Sequence, residues 1–535
     1  MNQKLKQFFV QIKFIAPLAL ICMLAHYFIV RGRVRVTFNW PKPLCGYMIF
    51  LIALAFLFCF ALYFLFFTCI KCILQRNRTF LSYFKYFCVY GLVMGILFLM
   101  TWPGIFKGDE FYVIKSALTL DLSPAQTGLT SFFYIVCLMV FPSMATITAL
   151  QLLIICTIFA YIMKNMFDCY PGRKTRLMMI PFLLLPVLDA NLFTLRASLV
   201  GWLSLFVFAS TFFAYKKGTL SLSNAVLLSV LAGLVIAWRS EFVYLLLLLP
   251  LTFAFLKLCS PKRAVCMMLV IALSFTICNV PNKIALNGSN KYPISLVLNP
   301  VANLFRHVEE LKGPDVYDDV QTINELVDAA KLRQNASVRN ISQYWLIPDV
   351  LPKEQLNRFM KASLRLIIYN PGLFLYYRTL TYLHTNGFYK NETNHPGGES
   401  ISAIRSLVYY DIDFKNLFVL SSPPLGLTLR EKVISFLGCR DYTKEQVTTN
   451  WLLPVFYNTL PTLVFCLLGL ILSIFQKRKD LFCLQALTLI QVPLVFLTAP
   501  AMFFMYYFCF YLCGYFVSFL QLVDFWENKR PKETL

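Results

Sequence analysis

Long apolar runs recur along this chain, and they constrain its fold more than any other feature. Ile12 to Val30, Tyr47 to Ile70 and Ser143 to Met163 approach or exceed the roughly 20 residues a helix needs to cross a bilayer. In lipid every backbone polar group must bond internally, so helices and closed barrels are the spanning solutions. The runs lack the roughly ten-residue alternation of a barrel strand, which excludes the barrel. Of 535 residues, 59% are hydrophobic and 14% charged, against about 25% charged in soluble proteins. The expectation is an all-α polytopic membrane protein with about twelve transmembrane helices.

The net charge of +23 does not point to nucleic acid. Lys and Arg gather in short connectors between apolar runs, as cytoplasmic loops do. Lys4 and Lys6 place the N-terminus inside, and Lys529, Arg530 and Lys532 do the same for the C-terminus. The first apolar run lacks a small-residue cleavage site and reads as a retained helix. One stretch opposes the scheme: Arg31, Arg33, Arg35 and Lys42 fall in the first loop on the outer side.

Four blocks follow from the pattern. Residues 1–85 hold two helices that precede the core. Residues 86–280 form a transmembrane core whose first outer loop, 102–130, begins at a Trp102-Pro-Gly104 helix stop. Within it, Phe111 to Ser123 and Ser131 to Phe141 read as short helices at the surface, too short to span. Residues 281–450 are polar, about 170 residues, enough for a small external domain with helices over Asp319 to Leu332 and Lys353 to Tyr369. Residues 451–535 hold three last spans.

Most of the 17 cysteines lie in or beside apolar runs and act as small apolar side chains. No Cys-X-X-Cys pair with a zinc-type partner occurs, so no structural metal is expected. Cys45 and Cys439 are the two in outer loops, where a disulfide stays open. Asn287, Asn335, Asn340 and Asn391 stand in Asn-X-Ser/Thr sequons.

The topology brings separated charged groups to one face: Asp109 and Glu110 with Lys107 beside them, Asp189, Arg196, and Arg239 with Glu241. Ionisable groups at a membrane boundary need partners or water, so together they read as a polar cavity. An arginine fork suits a phosphate because it stays charged and donates two hydrogen bonds. A carboxylate can take the proton of an attacking hydroxyl. That pairing fits glycosyl transfer from a lipid-phosphate carrier. An interfacial-anchor role for Arg239 and Glu241 is the plainer alternative.

The Pro103-Gly104 stop, the Asp109-Glu110 pair, and the short paired helices with outer Arg239-X-Glu241 resemble the GT-C superfamily of membrane glycosyltransferases. The similarity is nearer to bacterial cell-surface polysaccharide enzymes than to protein O-mannosyltransferases. It includes Gln151 in the next span and Ala499-Pro500 to Tyr506-Tyr507 near the end. Ser123-Pro124 stands where relatives often have His-Pro, and Leu195-Arg196 where they often have Lys-Asp. The resemblance implies an inverting enzyme with Asp109 as catalytic carboxylate and Glu110 beside it. It implies a polyprenyl-phosphate sugar donor held by Arg239 and Arg196, a glycan or lipid acceptor, and support from Glu241, Asp189 and Lys107. The implied location is the bacterial inner membrane, with the site on the outer face and membrane lipid around it. No cofactor is required, although a divalent metal ion bridging the acid pair to a phosphate is compatible.

Two other readings share the membrane and the substrates. A transporter or flippase of lipid-linked sugars would line a path with these charges, but no internal repeat is evident. A polysaccharide polymerase or ligase would draw on His384, His395 and Arg378 of the polar block.

Overall fold

In a computed structural model the described residues are 3–38, 46–106, 108–120, 127–194, 196–285, 289–338, 343–388, 422–438, 440–441, 448–449 and 451–528. The apolar runs are helices, as the internal bonding rule requires. They begin with α1 (Gln3–Thr37), α2 (Gly46–Leu74) and α3 (Arg78–Met100). Asn77 starts α3 by accepting from the Phe80 amide at 3.1 Å, the usual service of an N-cap side chain. Thr101 ends it, its hydroxyl donating to the Leu97 carbonyl at 2.8 Å.

Two short helices follow, α4 (Gly108–Leu118) and α5 (Gly128–Val140), and then the long α6 (Met144–Cys169). The first expected surface helix starts three residues earlier than its apolar run suggested. Asp109 and Glu110 therefore occupy its first turn rather than a preceding loop. Carboxylates are favoured there by the free amides and the helix dipole.

The next apolar stretch is bent. Three short pieces, Arg173–Met179, α7 (Ile180–Leu183) and α8 (Leu185–Leu192), break by 57°. Asp189-Ala-Asn191, expected to turn, lies inside α8. The chain then continues as α9 (Arg196–Lys217). Gln151 of α6 braces the break: its Nε2 donates to the Asn191 and Phe193 carbonyls at 2.9 and 2.6 Å. Asn191 in turn donates to the Tyr90 hydroxyl at 2.9 Å and accepts from Trp202 Nε1 at 2.7 Å. Buried polar groups in lipid need such partners.

A tight pair comes next, α10 (Leu222–Trp238) and α11 (Leu245–Phe255), then α12 (Pro261–Ala285). The final helices run Leu460–Phe475, Lys479–Leu489, Gln491–Thr498 and Phe508–Asn528. Among the described residues nine helices are long and apolar enough to cross a membrane, or ten with the bent pair. The other two expected passes are the shorter apolar helices Leu222–Trp238 and Ser240–Phe255.

The polar block has its own core. It is built from α13 (Tyr292–Leu304), α14 (Val316–Asn324), α15 (Ala329–Gln334), α16 (Lys353–Tyr369) and α17 (Pro371–Thr385). Ile294, Leu298, Val301, Leu332, Phe359 and Leu366 form one buried cluster there. The helix expected over Asp319 to Leu332 is split in two at Asp328, whose carboxylate caps α15 by accepting from the Lys331 amide at 3.0 Å. A two-residue ladder pairs Ser289–Asn290 with Val350–Leu351.

The first two helices join the acid segment in a buried cluster apart from the main core. Val30, Val34 and Phe38 of α1 and Met48 and Leu51 of α2 share a buried cluster with Phe106, Phe111 and Ile114. The end of α1 therefore lies at the same face as the acid pair.

Candidate functional site

The site is assembled where α4, the start of α9, the turn after α10 and the polar domain meet. Adjacent residues on a helix point about 100° apart, so the acid pair divides. Glu110 is buried, and its charge adds to burial in raising the Tyr134 phenol of α5. Asp109 is partly exposed and acts on Tyr344 and Tyr506. Burial pushes the Tyr506 phenol up; Tyr292 and Asp109 add to this, while Arg239 and Arg196 pull it down. One tyrosine thus senses Asp109, Arg196 and Arg239 together, groups from three separate stretches.

Arg239 caps α10 and is ion-paired with Glu241 two residues on. Its Nη1 also donates to the Met505 carbonyl at 3.3 Å, and its guanidinium lies over the Tyr506 ring. Burial alone would lower this guanidinium; Glu241, Tyr292 and Tyr506 outweigh burial and hold it above arginine's usual value. Arg196 is held more loosely. It donates to the Trp238 carbonyl at 3.4 Å and to the Tyr292 hydroxyl at 3.3 Å. Both acceptors are neutral, and among the described residues no carboxylate pairs with Arg196. It also opens α9, whose N-terminal amides favour an anion.

The polar domain supplies residues that spacing did not single out. Lys291 is buried, with its ammonium 2.9 Å from Asp349 Oδ1 and donating to the Ile347 carbonyl at 2.7 Å. Asp349 Oδ2 accepts from the Tyr112 hydroxyl at 2.8 Å, joining α4 to the domain. Tyr292, Tyr344 and Asp349 lie far along the chain from Asp109. No local pattern could have tied them to it.

Two buried arginines fix the domain over this face. Arg430 donates to the Trp102 and Gly104 carbonyls at 3.1 and 3.0 Å. Arg378 donates to the Phe496 and Ala499 carbonyls at 2.7 and 2.8 Å, and burial pulls its guanidinium down to about 10. The two grips fall at the start of the acid segment and before Tyr506.

The remaining expected residues are placed elsewhere or not described. Asp189 accepts from the Tyr457 hydroxyl at 2.9 Å and borders a small cavity with Phe193, Phe504 and Met505. Met505 of that cavity is also the residue whose carbonyl accepts from Arg239. Lys107 and His395 lie outside the described residues, as do Cys45, Cys439, Asn287, Asn340 and Asn391. Among the described residues no three His, Cys, Asp or Glu side chains converge where they could hold a metal ion.

Beside the charged cluster lies an apolar cavity of about 880 Å³. Its walls include Phe50 and Leu54 of α2, Leu129 of α5, Leu234 of α10 and Cys278 of α12. Four residues beyond Leu234 stands Trp238, whose Nε1 donates to the Thr130 hydroxyl at 2.9 Å and whose carbonyl takes Arg196. One wall residue of this apolar chamber, Leu234, therefore stands one helical turn from Trp238, whose carbonyl holds the Arg196 guanidinium. No protein-family profile, no curated protein and no solved structure matches this chain.

Proposed function

We propose that the protein is a membrane glycosyltransferase that moves a sugar from a polyprenyl-phosphate carrier to a glycan or lipid acceptor at the outer face. The observation that carries this reading is the apolar chamber whose Leu234 wall stands one helical turn from Trp238, the residue that takes Arg196. Its volume lies in the upper part of the roughly 300–1,000 Å³ usual for ligand sites. An isoprenoid tail suits the chamber, and its phosphate would meet Arg196 and the α9 amides. Arg239, already paired with Glu241, takes the second place for that phosphate.

Asp109 has the role of general base. The acceptor hydroxyl oxygen attacks the anomeric carbon, and Asp109 takes the hydroxyl proton. The carbon–oxygen bond to phosphate breaks, and its electron pair leaves with the polyprenyl phosphate. A single displacement inverts the anomeric centre. Arg196 stabilises the phosphate as charge gathers on its leaving oxygen, the kind of electrostatic support that dominates many such steps. Glu110 is buried against Tyr134, which suits support of the site better than proton transfer.

The test has two arms. Membranes bearing the protein should transfer labelled sugar from a polyprenyl-phosphate donor, and Arg196→Gln should abolish most of that transfer. Separately, added prenyl phosphate should slow alkylation of Cys278, read peptide by peptide, while inorganic phosphate should not. Unchanged Cys278 reactivity under saturating prenyl phosphate would remove the chamber from the reading.

A further inference from the structure

The basic end of α1 stands out against the rest of the chain. Short connectors at the opposite face carry the positive charge, as at Lys71 to Lys85, Lys164 to Arg176 and Lys477 to Lys479. Arg31, Arg33 and Arg35 break that pattern, because Val34 and Phe38 pack with Phe106 and Phe111 at the acid-pair face. Positive residues flanking a span are disfavoured on the translocated side.

All three arginines are exposed, and among the described residues none is ion-paired. Four-residue spacing puts Arg31 and Arg35 on one side of the helix; Arg33 falls on the other side of the buried Val30–Val34 stripe. Immediately below them, Phe28 and Ile29 are 59% and 83% exposed, as side chains facing acyl chains would be. The Arg31 guanidinium lies 5.0 Å from the centre of the Phe28 ring. Val36 is 65% exposed among the charges. The helix thus passes from a lipid-facing apolar surface straight into three unpaired guanidinium groups.

We propose that Arg31, Arg33 and Arg35 form a collar that binds the phosphate headgroup of an anionic lipid in the leaflet at the acid-pair face. Phosphate is the chemistry an arginine fork recognises best, and the apolar turn beneath supplies contact for the same lipid's tails. Simple anchoring would place the arginines at headgroup level without selecting among headgroups. The collar selects the anionic one. It is independent of the glycosyl-transfer reading, since neither Asp109 nor the chamber contributes to it.

The experiment is lipid retention by the purified full-length protein, measured by native mass spectrometry. The probes are phosphatidic acid and phosphatidylcholine with the same chains. Each basic group near a charged headgroup contributes about a fivefold preference at low salt. Arg31→Gln/Arg33→Gln/Arg35→Gln should therefore lower phosphatidic acid retention tenfold or more and leave phosphatidylcholine unchanged. The triple lysine variant should keep most of the retention, which separates lost charge from a damaged helix. Equal retention of both lipids by the unaltered protein, or no change in the glutamine variant, would overturn the collar. So would displacement of phosphatidic acid by millimolar inorganic phosphate, which would make this a site for free phosphate.

Discussion

The Tyr112 hydroxyl donates to Asp349 at 2.8 Å and so ties the acid-bearing helix to the polar domain. The other Asp349 oxygen is taken by buried Lys291 at 2.9 Å. One carboxylate therefore serves two masters, a surface tyrosine and an ammonium removed from water. The two substitutions that break this link should differ. Tyr112→Phe removes this hydrogen bond to a partly exposed carboxylate, a loss of about 1 kcal/mol. Asp349→Ala leaves the Lys291 ammonium buried without its counter-ion, the costlier defect. Thermal unfolding in detergent should rank Asp349→Ala well below Tyr112→Phe. Equal effects would mean that Lys291 finds other solvation.

Gly104 makes a sharper test of the loop that presents Asp109. Its φ of +118° is a conformation that glycine tolerates and other residues resist. A Cβ there would also collide with Thr148, whose hydroxyl donates to the Pro103 carbonyl at 3.0 Å. Gly104→Ala should therefore destabilise by more than the roughly 1–3 kcal/mol of backbone strain alone. Arg430→Lys should also be harmful, because a single ammonium cannot hold the Trp102 and Gly104 carbonyls as the fork does. Protease sensitivity near residue 104 should rise in both variants, and a silent Arg430→Lys would show the grip to be dispensable.

Sidedness is open to a direct measurement. The positive-inside rule expects the basic short connectors at the cytoplasmic face, which would put the polar domain and the end of α1 at the opposite one. A periplasm-active reporter fused after Leu311 should be active, and one fused after Lys479 inactive. Exposed Val36 and Tyr317, replaced in turn by cysteine, should react from the same side with a membrane-impermeant thiol reagent. Reaction from opposite sides would detach α1 from the face where the structure puts it.

The fold was largely legible because burial in lipid leaves a helix few alternatives. The helix end near Met100 followed from Pro103-Gly104, α10 ran one residue past the expected Ala237 into Trp238, and α16 matched its amphipathic pattern from Lys353 to Tyr369. The bend at Asp189 was not legible, because the polar residues there look like a turn while Tyr457, Tyr90 and Trp202 satisfy them inside a helix. Asp109, Arg196 and Arg239 were legible as charges stranded at helix ends. Tyr292, Tyr344 and Asp349 were not, because only the packing of a distant domain brings them near. The apolar chamber was hidden for another reason: its lining residues look like any other lipid-facing positions.

The division of the acid pair leads to the decisive variants. Asp109 is partly exposed and acts on Tyr344 and Tyr506, whereas Glu110 is buried beside Tyr134. Asp109→Asn keeps the shape and removes the basicity. General-base catalysis contributes about 10²–10⁴-fold, so transfer of labelled sugar should fall at least about a hundredfold. Its effect should fall on kcat, with the apparent affinity for the donor little changed, because Asp109 acts on the acceptor's proton. Arg196→Gln should lower kcat and also raise the donor concentration needed for half-maximal transfer, because Arg196 holds the phosphate both before and during bond breaking. Glu110→Gln alters a buried group and should show mainly as lower thermal stability, with smaller loss of transfer in the folded fraction. Membrane abundance must be matched across the variants, since an unfolded protein gives the same null result. Near-normal transfer by Asp109→Asn beside a dead but folded Glu110→Gln would reverse the two roles. Full transfer by both variants would leave the pair as the solvated start of a surface helix and remove the base from the proposed reaction.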